Sequence, residues 1–269
     1  VALLISAEAL RADTSCIVFD CRFSLFDAEQ GRREYLSSHI PGARYADLEH
    51  DLSSAPGGGG RHPLPDRDDL AKNLRTWGVS NDSRIVCYDQ SNGAVAGRMW
   101  WLIRWLGHAD VSLLDGGLDA WIAAGYETDA KPVTPAAGDF TPGAPLTKLC
   151  SAEELAGATV NLLDARDAAR FRGESEPIDP VAGHIPGAVC ASFSENLVGG
   201  RFKSPDALRA RFDALNINPE IETVCYCGSG VTATHNILAL LLAGYPEPVL
   251  YAGSWSDWIS VPGRPIETG

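Results

Sequence analysis

The chain repeats itself. LISAEAL at 4–10 returns as LCSAEEL at 149–155, and SHIPGARYADL at 38–48 returns as GHIPGAVCASF at 183–193. IVCYDQSNG at 85–93 matches TVCYCGSGV at 223–231, and LLDGGLDAW at 113–121 matches LYAGSWSDW at 250–258. Matched blocks in the same order commit both halves to one architecture, so whatever the first half folds into, the second must fold into as well. The offset shrinks by about seven residues between the second and third blocks, which assigns the extra length of the first copy to the Gly- and Pro-rich loop SSAPGGGGRHPLP. Between the copies, 127–148 holds four prolines and no helical or strand period, as in an extended linker. The expected division is therefore a domain over 1–126, a linker over 127–148 and a second domain over 149–269.

Within each copy, short apolar runs alternate with helical patterns. CIVFD, RIVCYD and VSLLDG in the first copy, and VNLLDA, TVCYC and PVLYAG in the second, fit strands buried on both faces. RMWWLIRWLG and THNILALLLAG fit helices that follow such strands, and Ser151 with Glu154 forms a capping box. Strand–helix alternation predicts an α/β fold, a parallel sheet covered by helices in each half. In such sheets the site lies beyond the carboxyl ends of the strands.

Composition narrows the function. With 269 residues and 45% hydrophobic content the chain can bury a sizeable core, and no apolar run approaches the ~20 residues of a membrane span. The opening VALLIS lacks the length and basic flank of a signal peptide. Seven scattered cysteines, an odd number in a chain too large to need staples, point to reduced thiols and a cytoplasmic setting. No metal is expected, because Cys225 and Cys227 lack a second ligand pair at zinc spacing. A net charge of −13 argues against nucleic acid or an anionic membrane as partner.

One cysteine differs from the rest. Cys227, in CYCGSGVTATH at 225–235, falls between the end of a strand and the start of a helix. A thiol of pKa ~8.5 becomes a useful nucleophile at neutral pH after a shift of roughly two units, about 2.7 kcal/mol. A helix dipole supplies typically ~0.3–1 kcal/mol, so hydrogen bonds aimed at the sulfur must supply the remainder. Gly228 and Gly230 let successive backbone N–H groups turn inward as an anion nest, and Ser229 and Thr232 add hydroxyl donors. Cys16, Cys87 and Cys225 read instead as core thiols of strands. Asp89 occupies the position of Cys227 in the first copy, which thus keeps the scaffold without the nucleophile. His39 and His184 occur in both copies, so they read as structural, with Pro41, Gly42, Pro186 and Gly187 shaping the turn.

The paired HIPGA blocks, a loop cysteine in the second copy alone and the run CGSGVTA together resemble the two-domain rhodanese-type sulfurtransferases, the loop being most like that of the 3-mercaptopyruvate branch. The resemblance spans nearly the whole chain. It implies that Cys227 takes a sulfur atom from a donor, becomes a persulfide, and passes the sulfur to cyanide, a small thiol or thioredoxin, with no organic cofactor. It also implies roles for individual residues: Ser229 in substrate contact and proton transfer, His62 of RHPLP as the first-domain histidine supplied across an interdomain cleft, and Arg170 on the substrate carboxylate. Gly228, Gly230, Val231 and Thr232 line the substrate loop. That branch carries a second arginine in an EPR stretch, where this chain reads EPID with Ile178. The alternatives are thiosulfate as donor and, in another class, a non-catalytic persulfide carrier. A cysteine phosphatase needs an arginine six residues after the cysteine, where this chain has Ala233.

Overall fold

The computed structural model describes residues 2–269. The chain divides into two compact units. Unit 1 holds the described residues up to Ser54, with Pro65–Leu146 and Gly199–Arg201; unit 2 holds Ala55–Leu64, Thr147–Val198 and Phe202–Gly269. Each is built on a five-stranded parallel sheet. In unit 1 the strands are β1 (Leu4–Ile5), β2 (Ile17–Asp20), β3 (Arg44–Tyr45), β4 (Ile85–Tyr88) and β5 (Val111–Leu114), in the order β1-β5-β4-β2-β3. In unit 2, β6 (Lys148–Leu149), β7 (Asn161–Asp164), β8 (Val189–Cys190), β11 (Thr223–Tyr226) and β12 (Val249–Leu250) take the same order, β6-β12-β11-β7-β8. Between β8 and β11, β9 (Leu197–Val198) and β10 (Arg201–Phe202) pair as a separate two-stranded sheet.

The central strands β4 and β11 are buried at all four positions. This is why IVCY and TVCY lack the apolar–polar alternation of half-buried strands. Helices cover the sheets. In unit 1 these are α1 (Ala7–Ala12), α2 (Gln30–Ser37), α3 (Arg67–Thr76), α4 (Ala96–Trp105) and α5 (Gly117–Ala123). In unit 2 they are α6 (Ala152–Leu155), α7 (Ala168–Phe171), α8 (Pro205–Ala214), α9 (Ala233–Leu242) and α10 (Ser254–Trp258). The capping box at α6 is present: Ser151 Oγ accepts from Glu154 N at 3.2 Å, while the Glu154 carboxylate accepts from Ser151 N at 2.8 Å.

The HIPGA turns are fastened identically in both units. Ile40 N–H donates to Tyr88 Oη and Ile185 N–H to Tyr226 Oη, each at 3.2 Å, tying the turn to the central strand. His39 Nδ1 lies 2.6 Å from Tyr35 O, and His184 Nδ1 lies 2.8 Å from Phe171 O. Both rings are buried and stacked on the aromatic residue whose carbonyl they hold, at centroid separations of 4.1 and 3.7 Å. These contacts are structural. The segment 127–148 is extended as far as β6, but through Leu146 it belongs to unit 1. Gly138 N–H donates to Arg75 O, Phe140 N–H donates to Val79 O, and the Phe140 ring is buried.

Candidate active site

Cys227 is the residue after β11, the central strand, and its side chain is 2% exposed. Its N–H donates to Ser254 Oγ (3.0 Å) and its carbonyl accepts from Trp255 N (2.9 Å), so α10 holds the main chain of the loop in place. Ser254 itself lies at φ +55°, a left-handed conformation that a non-glycine residue rarely takes. Its hydroxyl, donating to Tyr251 O and accepting from Cys227 N, explains why it is held there. The loop then curls back on the sulfur: Gly230 N–H donates to Cys227 Sγ at 3.1 Å. Gly230 is obligatory, with φ at +78° and a Cβ, were one present, only 2.2 Å from Ala252 O. Helix α9 starts at Ala233, so the sulfur sits near the positive end of a ten-residue helix.

The remaining cysteines have the environment of inert thiols. Burial pushes Cys225 well above the usual thiol range, Cys150 up to about 12 and Cys16 up to about 11. Burial raises Cys21 and Cys190 as well.

Asp89 shows what the same loop does with a fixed anion. Its buried carboxylate accepts N–H bonds from Gly93 (2.9 Å), Val95 (3.0 Å) and Ala96 (3.1 Å) at the start of α4. Burial pushes its pKa up, and those three donors pull against that. A carboxylate oxygen lies as many bonds from Cα as the outer sulfur of a cysteine persulfide would. The first copy therefore carries in its own sequence an anion of persulfide length, held by backbone donors.

Three of the anticipated side chains gather in unit 2 around this loop. His62 Nδ1 and Ser229 Oγ are 2.7 Å apart and both residues are buried. His62 comes from the first repeat in sequence, yet the segment Ala55–Leu64 that carries it belongs to unit 2. Arg170 lies beside Gly228: a Cβ built there would be 3.4 Å from Arg170 Nη2. Its guanidinium is held by Glu176, with Nε 3.0 Å from the carboxylate, and by Asp179 Oδ2 at 3.0 Å. Burial pushes the Glu176 carboxyl up, but hydrogen bonds from Arg170 and from the N–H groups of Asp179 and Ile178 outweigh it and hold the group below its ordinary range. Thr232 is the N-cap residue of α9 and makes no side-chain capping hydrogen bond. Val231 is buried, with its carbonyl accepting from Thr234 Oγ1 at 2.6 Å. Arg166 is no surface charge. It is buried in an ion pair with Asp164 at 2.6 Å, its guanidinium 4.8 Å from the centre of the Trp255 ring.

Sequence reasoning missed Arg61. Its Nη1 is paired with Asp179 Oδ1, and its Nη2 is 3.1 Å from where a Cβ on Gly228 would be. A signal existed: Gly-Gly-Arg at 59–61 recurs at 199–201. Position 178 itself supplies a backbone donor instead of a cation: Ile178 N–H and Asp179 N–H both donate to Glu176 Oε1 at 3.1 Å. Among the described residues no cluster of three or more His, Cys, Asp or Glu side chains could hold a metal ion, and no helix is long and apolar enough to cross a membrane.

A model of the rhodanese-like domain matches the chain twice, at residues 6–124 and 150–260. A Pseudomonas aeruginosa protein named probable 3-mercaptopyruvate sulfurtransferase is 52% identical over 280 residues, covering 100% of this chain and 99% of its own. The thiosulfate sulfurtransferase of Bos taurus is 34% identical, covering 94% of this chain and 89% of its own. Among solved structures, 3-mercaptopyruvate sulfurtransferase from Leishmania major superposes with a TM-score of 0.88 at 28% identity, covering 98% of this chain and 76% of that one.

Proposed function

Because the chain belongs to the rhodanese family and is a sulfurtransferase, we propose that it moves sulfur from 3-mercaptopyruvate to a thiophilic acceptor through a persulfide on Cys227. The thiolate attacks the donor sulfur, the S–S bond forms, and the C–S bond breaks with its electron pair left on carbon as the enolate of pyruvate. The proton of the donor thiol ends on that carbon, giving pyruvate and Cys227–S–S⁻. Cyanide or a thiolate then attacks the outer sulfur and leaves as thiocyanate or a new persulfide, restoring the Cys227 thiolate. This is covalent, ping-pong catalysis.

The observation that carries the choice of donor is the 2.7 Å contact between His62 and Ser229, two residues after the nucleophile. An enolate-forming donor needs a proton moved from sulfur to carbon, and a hydroxyl bonded to an imidazole is suited to move it. Thiosulfate releases sulfite and needs no such transfer. The absence of cationic side chains from loop residues 228–230 does not discriminate between the donors, because Arg61 and Arg170 bring guanidinium groups beside Gly228 from elsewhere in unit 2. Arg170 holds the donor carboxylate, and Gly228, Gly230, Val231 and Thr232 shape the loop around it. The acceptor is a small thiophile or the thiol of a thioredoxin. Seven cysteines free of disulfides suit a reducing compartment such as the cytoplasm.

The test is kcat/KM for each donor with cyanide as common acceptor, in the wild type and in Arg170→Ala, beside intact-protein mass spectrometry after donor treatment. The reading expects preference for 3-mercaptopyruvate, a loss in Arg170→Ala, and one added sulfur that disappears in Cys227→Ser. A preference for thiosulfate overturns the donor, and sulfur on Cys225 or Cys87 overturns the nucleophile.

A further inference from the structure

We infer that Arg61 is the second arm of the carboxylate clamp, supplying the cationic group that the sequence at position 178 lacks; this rests on the donor being 3-mercaptopyruvate. The first support is position. The guanidinium groups of Arg61 and Arg170 both flank Gly228, with nitrogens 3.1 and 3.4 Å from the site of its missing Cβ, next to the nucleophile. Two guanidinium groups this close repel unless an anion lies between them. Asp179 does so, its Oδ1 paired with Arg61 Nη1 and its Oδ2 with Arg170 Nη2 at 3.0 Å, and its side chain is 3% exposed.

The second support is which hydrogen-bond donors that bridge uses. Asp179 takes the Nη1 end of Arg61 and leaves the side-on edge formed by Nε and Nη2. Arg61 Nε is buried with no hydrogen-bond partner. A buried, unpaired donor on a charged group is unfavourable in a purely structural ion pair. It is intelligible if that edge receives a carboxylate, because Nε and Nη2 match two carboxylate oxygens in a bidentate pair.

The third support is the rigidity of the main chain. Arg61 N–H donates to Ser256 Oγ at 3.0 Å, and Ser256 N–H donates to Gly228 O at 2.9 Å, so one serine fixes both the arginine and the loop. Gly60, at φ +92°, makes that approach possible, because a Cβ there would lie 2.6 Å from Ser256 Oγ and 2.7 Å from Gly253 O. The segment is thus built for close contact. Arg61, Arg166 and Arg170 are balanced by Asp164, Glu176 and Asp179, so the clamp is preorganised and discriminates by geometry rather than by excess charge.

The experiment compares two donors in the full-length protein with cyanide as acceptor: 3-mercaptopyruvate, and mercaptoacetone, which replaces the carboxylate by a methyl group. Arg61→Ala should lower kcat/KM for 3-mercaptopyruvate at least tenfold, chiefly through KM, and change mercaptoacetone turnover less than twofold. Arg61→Lys should recover part of the loss. Equal loss with both donors would mean a structural role and overturn the inference, as would no loss with either. If Arg61→Ala fails to fold, Arg61→Gln, similar in reach, is put through the same comparison. A wild type that prefers thiosulfate overturns the donor reading and the inference with it, whereas a wild type that prefers 3-mercaptopyruvate with Arg61→Ala unaffected overturns the inference alone.

Discussion

Gly230→Ala separates what the loop glycine does for the fold from what it does for the sulfur. A Cβ at this position would lie 2.2 Å from Ala252 O, a separation that real Cβ atoms essentially never show, and the carbonyl belongs to backbone that cannot swing aside. Placing alanine at φ +78° costs about 1–2 kcal/mol. Relieving the contact by moving the loop roughly 1 Å adds about 1–3 kcal/mol of overpacking. The sum, about 2–5 kcal/mol, lies below the stability of most domains, so the variant should fold with a lowered denaturation midpoint. The same movement lengthens the 3.1 Å bond from Gly230 N to Cys227 Sγ beyond useful range. Loss of a hydrogen bond to a charged sulfur is worth about 1.5–3 kcal/mol, which slows persulfide formation about ten- to 150-fold. Denaturant unfolding reads the first quantity and single-turnover loading, followed by mass spectrometry, reads the second. Gly228→Ala is the control: the nearest atoms to its Cβ are the ends of the flexible Arg61 and Arg170 side chains, so stability should change by less than about 1 kcal/mol. A destabilised Gly230→Ala that loads at the wild-type rate would refute the role assigned to the hydrogen bond, and an undiminished midpoint would refute the backbone argument.

Ser229→Ala should lower kcat with 3-mercaptopyruvate about 100-fold while leaving thiosulfate turnover nearly unchanged, since only the former needs the proton relay; steady-state kinetics with both donors decides it. Residues 149–269 expressed alone lack Arg61 and His62 and should fall at least about 100-fold in turnover even when folded, as judged by circular dichroism; full activity would remove Ala55–Leu64 from the site. Glu176 has a folded pKa below its ordinary 4.5, so the unfolded chain binds its proton first and the stability it contributes is present above 4.5 and lost as the pH falls through the folded value. Glu176→Gln should accordingly flatten the acid limb of the stability–pH curve measured by denaturant unfolding, and an unchanged limb would contradict the ion-pair assignment.

The repeat, the parallel α/β class and the placement of Cys227 between strand and helix were legible in the sequence because each rests on local patterns: block order, buried apolar runs, and a Gly-rich loop. The capping box at Ser151 and the structural use of His39 and His184 were legible for the same reason, since their partners are a few residues away or recur in both copies. Which distant side chains meet the loop was not. Arg61 and Arg170 are more than a hundred residues apart in sequence, and only their common pairing with Asp179 in the folded chain makes them neighbours. The extra loop of the first copy read as an insertion, yet its residues Ala55–Leu64 fold into unit 2 and bring His62 to Ser229. Local propensity determines elements and turns; the juxtaposition of charged groups depends on burial and on long-range backbone hydrogen bonds, such as those through Ser256, which no periodicity encodes.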